Sequence, residues 1–448
     1  MSPKPVREDR QVYFSELGNL AECVKSAANA LKEWVSAWLK VVYNVESPVE
    51  VGVALPEVGD EWVVFYGFIG RIKCDDVEVV VEPKVGWERF NRMLEEVVNF
   101  LGNLPSYVRG WSPLGVLASA LFPGGHTAVY YSPIVLDLTS KFLSTFKPLS
   151  LEKVFMTSGG VVGRPSVAET LKLMSRGVPM GVFARVRLID DLESAAVFRA
   201  LNEVVKVDLE EVIEALQNAV ADRRPVMPFI EELRKLVSKH EEVLRRFLAT
   251  REIVVTRETL RRVREQGRVN PVTAAGVELY LSYMAQRRLL QKVGTGYFQF
   301  ISTHKLYELW VLTRILKHLG RAWYVKSFNL KEGGRFVGGR VEVEYDVKRP
   351  SKLRELVGGA YIRPDVVIKD GERVFVIDVK YKDRVSEEDL GRLLLYIAEL
   401  SRPYFLGVFA YLGESRVWKF DGREVRLCKA DPQTDEVDYD CLGLRSSS

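Results

Sequence analysis

Three charged residues lie on two short apolar segments that are separated by a tight turn signal. The stretch "YIRPDVVIKDGERVFVIDVKYK", residues 361–382, carries Asp365, Asp378 and Lys380 among β-branched residues. Such runs on either side of an Asp-Gly pair are typical of a β-hairpin. Because strand side chains alternate between faces, the three charges are expected to share one face. Two carboxylates and an ammonium so placed can bind a divalent cation and a phosphate.

The Asp-Gly pair also predicts the register of this hairpin. With the turn at 370–371, Arg363 faces Asp378 and Asp365 faces Val376. Asp365 and Asp378 are then diagonal neighbours, on the order of 7 Å apart at the backbone. They repel each other unless a cation lies between them, and Mg²⁺, with oxygen ligands at roughly 2.1 Å, can bridge that gap. Arg363 is expected to hold Asp378 when no metal is bound.

A third carboxylate is predicted from the preceding helix. The segment "HKLYELWVLTRILKHLG" has apolar residues at helical spacing, and Glu308 projects within that apolar stripe. Since a buried carboxylate must be paired, protonated or metal-bound, Glu308 is a further candidate ligand. The sequence thus predicts phosphodiester hydrolysis with Asp365 and Asp378 as catalytic metal ligands and Lys380 positioning water or phosphate. An Asp-x-Lys pair on a strand is common, so its apolar flanks and adjoining helices carry much of this prediction.

The order of elements around the hairpin can be predicted from periodicity. From residue 296 we expect a helix (304–319), strands (322–328, 335–347, 363–369, 373–380), a helix (386–400), a strand (404–412) and a short strand pair to 428. Residues 1–150 read as a mixed α/β domain, with a helix at 20–42, a strand pair at 61–84 and a helix at 87–104. Residues 151–295 read as mainly helical. The predicted fold class is therefore multidomain α+β, with the third domain at 296–448.

Composition places further bounds on the protein. The 448 residues contain no apolar run long enough for a membrane span, and the polar start "MSPKPVREDR" lacks a signal peptide, so we expect a cytoplasmic protein with no membrane partner. The four cysteines are scattered and are expected to be reduced, with a Cys428–Cys441 bridge as the alternative. The window 241–292 holds eleven Lys or Arg against six Glu, which predicts either phosphate contacts or a solvated helix face with paired charges.

The hairpin motif resembles the PD-(D/E)xK nuclease signature. The matching residues are "RPDVVI…VFVIDVKYK", and the predicted order of elements is similar to the α-β-β-β-α-β core of these restriction-endonuclease-like nucleases. The following helix, "SEEDLGRLLLYIAEL", begins with a capping box from Ser386 to Asp389 and resembles the D-x-x-Q-x-x-x-Y helix of one branch. Asp389 and Tyr396 match, whereas Arg392 stands where the branch has Gln. Residues predicted to contact DNA are Lys382, Arg392, Tyr396 and Arg363.

The branch that the chain resembles includes the McrC family, the nuclease subunits of McrBC-type modification-dependent restriction systems. "YGFIGRIKCDDVEVVVEPKVGWERFNRMLEEV" is similar to that family's glycine-rich, I-x-P-K and helical segments. The resemblance implies an Mg²⁺-dependent endonuclease, with Mn²⁺ as a substitute, that cleaves double-stranded DNA. It also implies a hexameric McrB-like AAA+ GTPase partner, which the N-terminal domain contacts and stimulates. "GGVVGRPS" lacks the P-loop lysine, so no motor is encoded here. The alternatives are an inactive adaptor with a nuclease fold and a standalone repair or CRISPR-associated nuclease.

Overall fold

The structure is a computed structural model, and it describes most of the chain. The described residues are 4–42, 55–74, 76–105, 117, 121, 126–145, 149–156, 164–165, 167–178, 181–188, 191–219, 226–247, 250, 253–267, 271–291, 298–329, 332–355, 361–400, 404–420 and 423–444. The chain divides into two compact units, the first formed by Met1–Pro133, Asp208–Leu236 and Ala285–Ser448, and the second by Ile134–Val207 and Val237–Met284. The domain boundaries predicted at 150 and 295 stay a prediction.

The described residues form a mixed set of strands and helices. The strands are β1 (Lys4–Arg7), β2 (Val12–Tyr13), β3 (Glu57–Val58), β4 (Trp62–Val64), β5 (Phe68–Cys74), β6 (Val77–Glu82), β7 (Leu149–Met156), β8 (Arg164–Pro165), β9 (Gly181–Leu188), β10 (Phe298–Ser302), β11 (Tyr324–Asn329), β12 (Gly333–Gly338), β13 (Val341–Tyr345), β14 (Arg349–Pro350), β15 (Tyr361–Ile362), β16 (Val366–Asp370), β17 (Arg373–Lys380), β18 (Tyr404–Tyr411), β19 (Arg416–Phe420), β20 (Arg423–Asp431) and β21 (Glu436–Val437). The helices are α1 (Phe14–Leu17), α2 (Ala21–Val42), α3 (Trp87–Leu101), α4 (His126–Thr145), α5 (Val167–Met174), α6 (Asp191–Ala219), α7 (Met227–Arg245), α8 (Arg257–Gly267), α9 (Pro271–Gln291), α10 (Thr303–His318), α11 (Lys352–Glu355) and α12 (Glu387–Leu400), together with one 3₁₀ turn (Gly18–Leu20).

An N-terminal sheet of the first unit leads directly into the helix that carries Glu308. Its strand order is β1-β6-β5-β10, and β10 pairs antiparallel with β5 although the two strands are far apart in the sequence. Helix α10 follows β10 at once, and it packs against α3. The helix and strand pair predicted from the first hundred residues correspond to α2, β5 and β6. The chain thus places its two ends in one compact unit.

The second sheet of the first unit contains the predicted hairpin near its centre. Its order is β11-β12-β13-β16-β17-β18-β20-β19, with β21 beside β20. Strand β17 is antiparallel to β16 and parallel to β18, so it is flanked on both edges. The predicted strand 335–347 is in fact two strands, because Gly339 has a φ of 61° at the turn between them. The structure also has short elements that were not predicted, namely β14, α11 and β15 before the hairpin and β21 after β20; the longer elements from residue 304 follow the predicted order.

The apolar side chains on the charged face of the hairpin are covered by α12. Val367, Val374 and Val376 belong to one buried cluster with Leu393 and Ile397 of that helix. Helix α12 begins with the predicted capping box, in which the Ser386 amide and hydroxyl both donate to the carboxylate of Asp389. Helix α12 therefore buries the apolar part of this face. It also places its own polar residues at the open end of the hairpin.

The predicted turn of the hairpin, at residues 370–371, was wrong by one residue, and the predicted register was wrong with it. Asp370 pairs with Arg373 across the hairpin, so the turn residues are Gly371, with a φ of 62°, and Glu372. Asp370 is kept in the ladder because it also pairs with Val341 of the neighbouring strand β13. The predicted pairing of the open end therefore changes, although the alternation of faces along each strand does not.

The second unit combines helices with a small sheet of order β7-β9-β8. The region 151–295, which was predicted to be mainly helical, therefore also contains strands. One of its cores is built from Phe142, Phe198 and Phe247. Among the described side chains of the basic window, five arginines form ion pairs, which favours the paired-charge alternative over free phosphate contacts. The pairs are Arg246–Glu242, Arg261–Glu258, Arg262–Glu193 and Arg264–Glu278 in the second unit and Arg287–Asp208 in the first.

The expectation of reduced cysteines was wrong. Cys23 of α2 is bonded to Cys74 of β5, and Cys428 of β20 is bonded to Cys441. The first bridge joins residues that lie 51 positions apart, so it depends on how α2 packs against β5 and has no signature in the spacing. Among the described helices, none has the length and apolar character needed to cross a bilayer.

Candidate active site

The open end of the hairpin brings Asp365, Asp378 and Lys380 together. Val366 pairs with Ile377, so the next position along the ladder places Asp365 opposite Asp378 instead of Val376. Lys380 Nζ lies 2.7 Å from Asp378 Oδ2 and 3.7 Å from Asp365 Oδ2. The ammonium of Lys380 thus contacts both carboxylates at the open end of the hairpin.

Burial makes these charges strongly interdependent. Asp378 has no exposed surface, and Asp365 and Lys380 are 6% and 8% exposed. Asp365 Oδ2 also accepts a 2.6 Å hydrogen bond from the backbone amide of Val379. Each carboxylate therefore has a distinct environment on a strand end that is otherwise apolar.

The two carboxylates differ in the direction of their pKa shifts. Burial, together with the neighbouring charge of Asp365, raises the pKa of Asp378 to about 6 in spite of the attraction of Lys380. Burial also opposes ionisation of Asp365, but Lys380, Arg392 and Lys305 outweigh it, so the pKa of Asp365 lies below its usual range. Asp365 is thus the ionised member of the pair, and Asp378 is the member that can gain a proton near neutral pH.

Glu308 reaches the same site but is engaged by a second lysine. Its Oε2 lies 2.7 Å from Lys305 Nζ and accepts a hydrogen bond of 3.1 Å from the Tyr345 hydroxyl. Burial, together with the charges of Asp365 and Asp346, raises the pKa of Glu308 to about 7 in spite of the attraction of Lys305. The interior position predicted for Glu308 is therefore confirmed, while its role as a metal ligand stays a prediction.

Arg363 does not face Asp378, contrary to the predicted pairing. Its Nε lies 2.8 Å from Asp346 Oδ1, and it also donates to the Asp346 carbonyl at 3.0 Å. The changed register explains this difference, because it moves Arg363 away from Asp378 and toward the chain that follows β13. Asp346 is also 3.6 Å from Lys305, so a buried set of charges continues from the hairpin to α10.

Helix α12 supplies the guanidinium that Asp378 contacts. Arg392 Nη2 lies 3.5 Å from Asp378 Oδ2 and 3.6 Å from Asp389 Oδ1. Lys382 forms an ion pair with Asp389, whose pKa falls to about 2 because its bonds to Lys382 and Ser386 outweigh its burial. Tyr396 is buried and donates to the Arg363 carbonyl at 3.2 Å. DNA contacts by Lys382, Arg392, Tyr396 and Arg363 stay predictions.

A cleft of about 820 Å³ is lined by Lys382, Asp389 and Arg392, and part of its wall comes from the N-terminal segment. It is lined by Glu308, Lys380 and Arg392 on one side and by Asp9 and Lys84 on the other. The hairpin motif carried no information about this second wall. The only sequence signal for it was the "VEPK" stretch, which ends at Lys84 and whose role periodicity does not reveal.

The residues present fit a divalent cation in part. Asp378 Oδ1 is buried without a hydrogen-bond partner among the described residues, and oxygen donors of this kind suit Mg²⁺. Asp365 and Asp378 already share one cation, the ammonium of Lys380. Across the part of the chain that the structure describes, however, no group of three His, Cys, Asp or Glu is arranged to hold a metal. Asp365, Asp378 and Glu308 therefore supply oxygen atoms of a suitable kind, but in this structure each of them is paired with a lysine, Lys380 or Lys305.

Comparisons with known proteins return matches to solved structures alone. No model of a known protein family matches the chain, and no curated protein matches it. One match is a refined half-complex from a tetradecameric assembly of Thermococcus gammatolerans McrB AAA+ hexamers with bound McrC, at 14% identity and a TM-score of 0.38, covering 100% of this chain and 97% of that chain. A second is the cryo-EM structure of the Thermococcus gammatolerans McrBC complex, at 14% identity and a TM-score of 0.23, covering 71% and 88%.

Both matches are structures of McrBC complexes.

Proposed function

We propose that the chain is a metal-dependent DNA endonuclease subunit of a McrBC-like restriction complex. The observation that carries this proposal is the convergence of Asp365, Asp378 and Lys380 at the buried end of one hairpin, where Lys380 also lines an open cleft. Buried carboxylates that repel each other around a single cation are rarely kept for stability, because removing the charges altogether is often neutral. Strongly perturbed pKa values in a cleft are instead typical of functional sites.

Each residue has a definite part in the proposed reaction. Asp365 and Asp378 are the residues that would hold Mg²⁺, which supplies charge neutralisation at the phosphate and a more acidic water when bound. Lys380 lies beside both carboxylates and lines the cleft. Its ammonium would therefore contact the scissile phosphate and the attacking water. Arg392, which contacts Asp378 from α12, would orient that carboxylate and add a second positive charge beside the phosphate.

The proposed partners are double-stranded DNA and a McrB-like AAA+ GTPase hexamer that the subunit stimulates. The test is cleavage of DNA with Mg²⁺, with and without the cognate GTPase, by wild type, Asp378→Ala and Lys380→Ala. Either variant is expected to lose at least about 100-fold in cleavage rate, the scale of removing one preorganised charge from a transition state. Asp370→Ala, which removes a carboxylate at the turn end of the same hairpin, is the matched control. Unchanged cutting by both site variants would exclude the assignment.

A second candidate is an adaptor that activates the GTPase and bridges it to DNA without cutting. It is favoured by the ion pairs of Lys380 with Asp378 and of Lys305 with Glu308, which balance the site's charges without a metal. Stimulated GTP hydrolysis that is equal in wild type and Asp378→Ala, with no cleavage by wild type in Mg²⁺ or Mn²⁺, would support the adaptor. A standalone nuclease would instead cut DNA at the same rate whether or not the GTPase is present.

A further inference from the structure

The strand end that carries Lys380 is held by residues from the first hundred positions of the chain. Tyr381 follows Lys380 directly, and its side chain is almost fully buried. Its hydroxyl donates a 3.1 Å hydrogen bond to Glu8 Oε1, across 373 positions of sequence. While Lys380 contacts the carboxylates of the site, its neighbour is therefore fixed to the N-terminal sheet.

Lys84 holds the same residue at two further points. Its ammonium donates to the backbone carbonyl of Tyr381 and lies 3.8 Å from the centroid of the Tyr381 ring. A carbonyl bond restrains the backbone at this position, and the cation over the ring restrains the side chain. Glu8, Lys84 and Tyr381 thus form one contact set, the Glu8–Lys84–Tyr381 cluster.

The cluster is itself tightly held, so it can transmit a fixed position. Glu8 is 1% exposed and accepts hydrogen bonds from the Lys84 amide at 2.8 Å and from the Thr303 hydroxyl at 2.6 Å. Asp9 accepts from Lys84 Nζ at 2.6 Å and from the Gly67 amide at 3.0 Å. Because Thr303 is the first residue of α10, the cluster joins the end of β17 to the start of the helix that carries Glu308.

The position of the cluster suits alignment of the reacting groups. The two neighbours of Tyr381 are Lys380 and Lys382, whose ammonium groups contact Asp378 and Asp389. A displacement of about 1 Å in such a group can cost on the order of 100-fold in rate. β17 ends at Lys380, and the next backbone tie to β18's side is the 3.2 Å bond from the Leu412 amide to the Lys382 carbonyl, so the cluster supplies the contacts that hold Tyr381 itself.

We propose that Glu8, Lys84 and Tyr381 are positioning residues for Lys380, so that the N-terminal segment is an integral part of the nuclease site. The proposal rests on the proposed function for its effect on cleavage, but its structural half can be measured without DNA. It predicts that Lys380 is correctly positioned only when Glu8 and Lys84 are present, although both lie outside the predicted nuclease domain at 296–448.

The experiment compares full-length wild type, Tyr381→Phe and Lys84→Met by hydrogen–deuterium exchange and by steady-state DNA cleavage. Two amides report on the strand end: Val379, which donates to Asp365, and Lys382, which donates to the Lys380 carbonyl at 2.8 Å. Both variants are expected to exchange at least about tenfold faster across 379–382, with exchange across 373–377 unchanged, because only a local charged contact is lost. Tyr439→Phe is the matched control, since it removes a hydroxyl that donates to the Arg314 carbonyl at 3.4 Å, outside the cluster.

In cleavage assays, both variants are expected to lose at least about tenfold in kcat with KM for DNA unchanged, because alignment is lost and not binding. Unchanged exchange across 379–382 in both variants would overturn the proposal, whatever the cleavage rates. Faster exchange with wild-type kcat would also overturn it, since the strand end would then move without consequence. If wild type does not cleave DNA at all, the nuclease assignment fails separately, and the exchange data still decide whether the cluster holds Lys380.

Discussion

Replacing Glu8 with glutamine is expected to change how the stability of the protein depends on pH. Glu8 is buried, and this burial, with the charge of Asp9, raises its pKa from 4.5 to about 7. The native state therefore binds a proton on Glu8 more tightly than the unfolded chain does. The stabilisation is complete below pH 4.5 and is lost as the pH rises through 7. Glu8→Gln resembles the protonated acid in shape and hydrogen bonding, so it removes this pH dependence.

The size of the effect follows from the two pKa values. The interval from 4.5 to about 7 corresponds to about 3 kcal/mol, at about 1.4 kcal/mol for each pH unit. Relative to wild type, Glu8→Gln should be nearly neutral at pH 5 and more stable by up to about 3 kcal/mol at pH 8. Glu308 also has a raised pKa, but it is present in both proteins, so its contribution cancels in the comparison.

The assay is urea-induced unfolding of both proteins at pH 5, 6, 7 and 8, with the difference in the free energy of unfolding plotted against pH. Asp389→Asn serves as the control, because the pKa of Asp389 is lowered to about 2 and its titration lies below this range. The effect of that control should be constant from pH 5 to 8. A difference between wild type and Glu8→Gln that does not vary with pH, or that grows toward pH 5, would refute the reasoning.

Three further results are expected from the rest of the structure. Replacing Cys23 and Cys74 with serine should lower the free energy of unfolding by about 4 kcal/mol, the loop entropy for a separation of 51 residues, in urea unfolding without reductant. The check is an equal loss when a variant that lacks only the Cys428–Cys441 bridge is reduced, because reduction then breaks the Cys23–Cys74 bridge alone. Lys380→Met should destabilise the protein by about 3 kcal/mol at pH 8 and by less at pH 5, as followed by the same unfolding curves, because two buried carboxylates lose their shared cation and one can be protonated at low pH. Gly67→Ala should lower the free energy of unfolding by at least about 3 kcal/mol, because Gly67 has a φ of 62° and an added Cβ would lie 1.6 Å from the ring of His304. A thermal midpoint within about a degree or two of wild type would contradict this.

Local patterns were sufficient to predict the hairpin and its charged face. Strand alternation placed Asp378 and Lys380 on one side, and that placement depends only on a period of two residues. The capping box at Ser386 and Asp389 was equally local, since it joins residues three positions apart. Both features survive in the structure because neighbouring residues determine them.

The register of the hairpin could not be read from the turn signal alone. Asp-Gly at 370–371 favours a turn at those two residues, but pairing with Val341 of β13 keeps Asp370 in the sheet and moves the turn by one position. The same tertiary pairing places Asp365 opposite Asp378, and Arg363 forms its ion pair with Asp346. A third strand therefore decided which charges meet.

The sequence by itself determined that two carboxylates and a lysine share a face of a strand pair, because alternation is a property of the extended backbone. It also determined the order of the longer helices and strands around them. Only the tertiary structure decided which groups complete the site, because Lys305, Arg392, Glu8 and Lys84 reach it from separate elements. The contact of Glu8 with Tyr381 spans 373 positions, so local spacing does not encode it. It forms because β10 pairs with β5 of the N-terminal sheet, which places the start of α10 beside the end of β17.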